Sequence, residues 1–110
     1  MSKKAEELVS GVRTLHDEAL ELAESVLFMS EKLKESREEL KDEPLVIEYD
    51  NGGGQHGIRE NPHFTAYEHL QTAYGKALRQ LTEIVEKGAP TQKTSNILNE
   101  LSVIAGKKAG

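Results

Sequence analysis

The residues that could do chemistry fall into three sets. The first is the glycine run in Asp50-Asn51-Gly52-Gly53-Gly54-Gln55-His56-Gly57, whose backbone amides could cradle a phosphate. No Gly-Lys-Ser/Thr follows it, and the next helix signal, at Pro62, comes eight residues after Gly54. The second set is His63 and His69 with Glu60 and Glu68. Metal ligands on one helix need i, i+4 spacing to share a face, and positions 63 and 69 are six apart. The third is the carboxylate pairs Glu6-Glu7, Glu38-Glu39 and Asp42-Glu43. They stand in charge-rich helical segments and read as solvated faces and helix ends, not as a buried acid/base pair. No Ser/His/Asp or Cys/His nucleophile set is present. The expectation is a protein without catalytic residues, cofactor or metal, and not an enzyme.

Binding chemistry is the other possibility. Tyr67 and Tyr74 are at helical spacing, but no Arg or Lys interleaves with them on that face. Packing is therefore expected of them, not base stacking. Net charge is −5 and uneven: the first 43 residues hold seven Lys/Arg against twelve Asp/Glu, while residues 87–110 hold four Lys against one Glu. An acidic body argues against a generic nucleic-acid coat, because phosphate neutralisation needs clustered cations. Lys3, Lys4, Arg13, Lys107 and Lys108 are the candidate phosphate contacts should the chain touch duplex DNA.

These residues are carried by long helices. From Ala5 onward, apolar residues fall at Ala5, Leu8, Val12, Leu15, Ala19, Leu22, Val26, Met29, Leu33 and Leu40, with Ser36 breaking the series. A 3.5-residue period kept this long predicts one heptad helix over 1–43. At 1.5 Å per residue, about 38 helical residues span ~57 Å, too long to be buried in one small globule. Leu8, Val12, Leu15, Leu22, Val26, Met29 and Leu33 are accordingly the candidate oligomer interface. Val9, Leu20, Ala23, Leu27 and Phe28 widen the apolar face, which suits a bundle better than an isolated two-stranded coil.

Pro44 closes that helix. Leu45-Val46-Ile47-Glu48-Tyr49 favours a strand, the Asn-Gly and Gly-Gly steps favour a turn, and Gln55 to Arg59 supplies a second strand. Asn61-Pro62 starts a second helix, with Asn as N-cap and Pro in the first turn. Its apolar positions run through Phe64, Tyr67, Leu70, Tyr74, Ala77, Leu81 and Ile84 to a stop at Gly88. It should pair antiparallel with the first helix and leave part of that helix unmatched. After the linker Ala89-Pro90-Thr91-Gln92-Lys93, Thr94 or Ser95 can cap a short helix whose face is Ile97, Leu98, Leu101, Ile104 and Ala105. The fold class is thus mainly α, in one domain over 1–110: a long antiparallel helical hairpin, a small β-hairpin at the junction (44–60), a second helix (61–88), and a linker, short C-terminal helix and basic tail (89–110).

The chain has no cysteine, no apolar run near the roughly 18 residues that span a bilayer, and no signal-peptide core after Met1-Ser2-Lys3-Lys4. A soluble cytoplasmic protein with no membrane contact is expected.

The run from Glu48 through Glu60-Asn61-Pro62 to Leu70 resembles the middle of phage terminase small subunits, in the family marked by a Gly-containing hairpin, then Glu-Asn-Pro and a helix. Leu78-Arg79-Gln80-Leu81 is similar to that family's Lys/Arg-Gln-Leu segment, and the likeness covers roughly residues 45–86. The resemblance implies a non-enzymatic subunit of a DNA-packaging motor in the host cytoplasm. Such a subunit forms a homo-oligomeric ring, recognises viral double-stranded DNA and regulates the large terminase subunit. The alternative expectation is a coiled-coil adaptor or assembly protein with no nucleic-acid function.

Overall fold

The computed structural model describes residues 2–50 and 56–106. Helix α1 is Lys3–Leu8, α2 is His16–Leu40, strands β1 and β2 are Val46–Asp50 and His56–Glu60, α3 is Pro62–Lys87 and α4 is Gln92–Ile104. The molecule measures 63 × 25 × 22 Å with a radius of gyration of 18.3 Å. A compact chain of this size would be near ~13 Å, so the helical hairpin is elongated as the heptads imply.

The single helix expected over 1–43 is broken. Ser2 caps α1, its hydroxyl accepting from the Ala5 amide at 3.4 Å, and the helix ends at Leu8. The cause of the break is tertiary. The Ala89 amide donates to the Gly11 carbonyl at 3.2 Å, and a Cβ at position 11 would sit 2.1 Å from the Ala89 oxygen. Glycine is also a poor helix interior. Leu15 completes the turn in the left-handed region, with φ 54°. α1 then lies against α2 and runs antiparallel to α4, with Glu7 beside Thr94 and Lys4 beside Glu100.

Refolding α1 changes the length argument. α2 and α3 hold 25 and 26 residues, ~38 and ~39 Å, so they match as a hairpin with no unpaired overhang. The heptad residues serve the chain's own core. Ala5, Leu8, Val9, Val12, Ala19, Ala23, Val26 and Leu33 are buried against Tyr74, Leu78, Leu81 and Val85 of α3 and Leu101 of α4.

α4 starts earlier than the cap signals suggest. Thr91 is its N-cap, accepting from the Thr94 amide at 3.1 Å. Thr94 is instead fully buried and donates to the Glu7 carbonyl at 2.9 Å, tying α4 to the last turn of α1. The expected apolar face of α4 does dock: Leu101 is buried, and Ile97, Leu98, Ile104 and Ala105 pack half-buried on the core.

Candidate functional site

The junction between the long helices is built around Asn61. Its side chain is buried, and each polar group has a partner. Oδ1 accepts from the His63 amide at 3.1 Å, which makes Asn61 the N-cap of α3 with Pro62 in the first turn. Nδ2 donates to the Pro44 carbonyl at 2.9 Å, and the backbone amide donates to the Leu45 carbonyl at 2.9 Å. One residue therefore starts α3 and ties both ends of the hairpin to the helical body.

Outside that knot, His63 Nδ1 lies 2.9 and 3.1 Å from the two Glu43 oxygens. The hydrogen bond from His63 holds the Glu43 carboxyl below its usual range, against the opposing effect of desolvation. His63 thus hydrogen-bonds Glu43 at the surface, and His69 is exposed six residues on. Among the described residues no group of three or more His, Asp or Glu could hold a metal ion.

The β-hairpin leaves the body above this knot. β1 pairs antiparallel with β2, in register Val46↔Glu60, Ile47↔Arg59, Glu48↔Ile58, Tyr49↔Gly57 and Asp50↔His56. The second strand is described from His56 on, and Gln55 and the turn assigned to Asn51-Gly52-Gly53-Gly54 lie outside the described residues. The Tyr49 ring lies over Gly57, where a Cβ would meet it at 2.3 Å. The helices make at most marginal contact with the hairpin. Leu45 and Ile58 are each 69% exposed and Val46 is 53% exposed.

The two tyrosines are committed inside the fold. Tyr74 is fully buried, donates to the Leu101 carbonyl at 2.7 Å, and has its pKa pushed up to about 12 by burial, with the Arg37 charge pulling the other way. Tyr67 is half-buried, and its hydroxyl accepts from Arg37 Nε at 2.5 Å. Arg37 also donates to the Ile104 carbonyl at the end of α4, placing a cation at that helix C-terminus. Arg37 therefore links α2, α3 and α4. Sequence reading gives no sign of it, since an arginine after the heptad break at Ser36 looks like a solvated charge.

Among the described candidate phosphate contacts, Arg13 stands apart from Lys3 and Lys4. Lys3 and Lys4 stand at the start of α1, where Lys4 Nζ is 3.6 Å from Glu100. Arg13 is beyond the other end of α1, lining an open cleft of about 510 Å³ with Ile84, Lys87 and Gly88. Lys107 and Lys108 lie outside the described residues.

Of the candidate oligomer residues, Leu8, Val12, Val26 and Leu33 are buried within the chain and are not open to a partner in this packing. Leu22 and Met29 are half-buried at the core margin, and Leu15 is 69% exposed. No helix is long and apolar enough to cross a membrane among the described residues. Compared with known proteins, the chain matches no family model, no curated protein and no solved structure.

Proposed function

We propose that the chain is the small subunit of a phage terminase, a non-enzymatic oligomeric component of viral DNA packaging that works in the host cytoplasm. In this reading it recognises viral double-stranded DNA and regulates the large terminase subunit. One observation carries it: the order of Gly-containing hairpin, Glu60-Asn61-Pro62 and helix, in which Asn61 both caps α3 and anchors the hairpin. DNA contact in this reading falls to Lys3, Lys4, Arg13, Lys107 and Lys108. Duplex DNA binding in a salt series tests it, together with co-purification of a large terminase subunit. Binding should weaken steeply as salt rises. No binding at low salt would remove those five residues from the interface, and no association with the large subunit would sink the reading.

A second reading, an assembly adaptor with no nucleic-acid function, is favoured by two facts: the net charge of −5, and the ion pair that occupies Lys4. An oligomer that binds neither DNA nor the large subunit would select it.

A further inference from the structure

Alternation along the strands gives the hairpin two unlike faces. One carries Val46, Glu48 and Asp50 of β1 with Ile58 and Glu60 of β2, so that each cross-strand pair Val46↔Glu60 and Glu48↔Ile58 sets an acid beside an aliphatic residue. The other carries Ile47 opposite Arg59, and Tyr49 over Gly57. Among the described residues, the side chains of Glu48, Glu60 and Arg59 have no hydrogen-bond or ion-pair partner. An isolated two-stranded hairpin is marginal in water and gains stability only when something covers a face. Here the helical body does not, and Val46 and Ile58 stay exposed.

We propose that the cover is a second copy of this chain, with the acidic face of one hairpin seated on the Arg59 face of the next. The two faces match in both properties that matter. Each offers aliphatic or aromatic area, and the unpaired acids Glu48 and Glu60 meet an unpaired guanidinium able to bind a carboxylate in two-pronged fashion. Like faces would instead set Glu on Glu or Arg59 on Arg59, which disfavours a two-fold dimer. Unlike faces in contact make a head-to-tail arrangement, and such contacts close into rings or run on as filaments. Leu8, Val12, Val26 and Leu33 are spent on the chain's own core, and the hairpin supplies an assembly surface that they do not.

This contact deepens the oligomeric part of the packaging reading and is independent of its DNA and large-subunit parts. The test is mass in solution by light scattering over a concentration series, on the full chain. The wild type should exceed its 12.2 kDa monomer mass. Arg59→Glu should return it to monomer, and so should Glu48→Arg with Glu60→Arg. The triple variant, which swaps the charges of both faces, should recover the oligomer. Far-UV circular dichroism should keep the wild-type helical content, because all three side chains are exposed and lie outside the helical core. A wild type that is monomeric throughout overturns the proposal. So does an Arg59→Glu oligomer of unchanged mass, or a triple variant that stays monomeric. An Arg59→Glu oligomer that still binds the large subunit would remove this contact and leave the packaging reading standing. A hairpin-dependent oligomer that ignores the large subunit would do the reverse.

Discussion

The Ala89 amide donates to the Gly11 carbonyl at 3.2 Å, and this one bond joins the turn after α1 to the link between α3 and α4. The approach is close from both sides. A Cβ at 11 would be 2.1 Å from the Ala89 oxygen, and one at Gly88 would be 2.6 Å from the Gly11 oxygen. Neither obstacle is a side-chain end that can swing away; both are backbone. Gly11→Ala should therefore push the two segments apart and cost roughly 1–3 kcal/mol, in the range of overpacked cores. Chemical denaturation should show the midpoint falling, and Thr91 and Thr94 should lose their contacts to Glu7. A stability within error of wild type would show that this approach is looser than described.

Leu15 offers the opposite experiment. It holds φ 54° with its side chain 69% exposed and makes no cap bond to α2. A left-handed conformation costs a bulky residue roughly 1–2 kcal/mol, and here no burial offsets it. Asparagine tolerates that region better. Leu15→Asn should raise stability by about 1 kcal/mol, read as a rise of a few degrees in the thermal midpoint. A fall would mean that Leu15 packs on something in solution, such as another copy.

The same residue explains how far the sequence could be read. Asn61-Pro62 announces α3 through local chemistry, and the β-favouring run at Leu45–Tyr49 announces the hairpin; both are where the signals put them. The break after α1 leaves one weak local mark, Gly11, which the heptad count overrides. Val12 and Leu15 continue the heptad in sequence, yet Val12 is buried in a turn and Leu15 points to solvent. What breaks the helix is Ala89, distant along the chain, and no periodicity count reports that. Arg37 and Thr94 are hidden for the same reason. Each bonds a backbone carbonyl more than sixty positions away, on a helix whose docking must already be known. The spacing arguments against phosphate-loop and metal chemistry need only positions, whereas the hairpin's two charged faces need a register.

Tyr74 should titrate above the ordinary tyrosine range. Burial lifts its pKa to about 12 from an ordinary 10, so the folded state favours the neutral phenol. A group whose pKa is raised on folding contributes stability that is complete below the unfolded value and lost as pH climbs through the folded one. Stability should fall between pH 10 and about 12. The Tyr74 share of the phenolate absorbance, read as the difference between wild type and Tyr74→Phe, should arrive together with loss of helix. Tyr74→Phe should also cost about 0.5–1.5 kcal/mol for the lost bond to Leu101, whose carbonyl keeps the Ala105 amide at 3.2 Å. A Tyr74 share that arrives with the fold intact would contradict the buried hydrogen bond.

The acid side of the profile belongs to Glu43 and His63. The hydrogen bond from His63 holds the Glu43 carboxyl below its ordinary value of 4.5. With a folded pKa that is depressed, the contribution to stability is present above the unfolded value and lost as pH falls through the folded one. The loss should thus begin below about pH 4.5 and be complete once Glu43 is protonated in the folded chain. Nδ1 must carry a proton for the contact, because a carboxylate only accepts. His63→Phe removes the donor while keeping an aromatic ring at the start of α3. Carboxyl-carbon chemical shifts followed against pH should then show Glu43 titrating nearer its ordinary range. Asn61 should be undisturbed, since it holds Pro44 and the His63 backbone amide, neither of which the substitution touches. A Glu43 titration that does not move would place the cause of its lowered pKa in Asn61 instead, whose Nδ2 stands 3.5 Å from the same carboxylate.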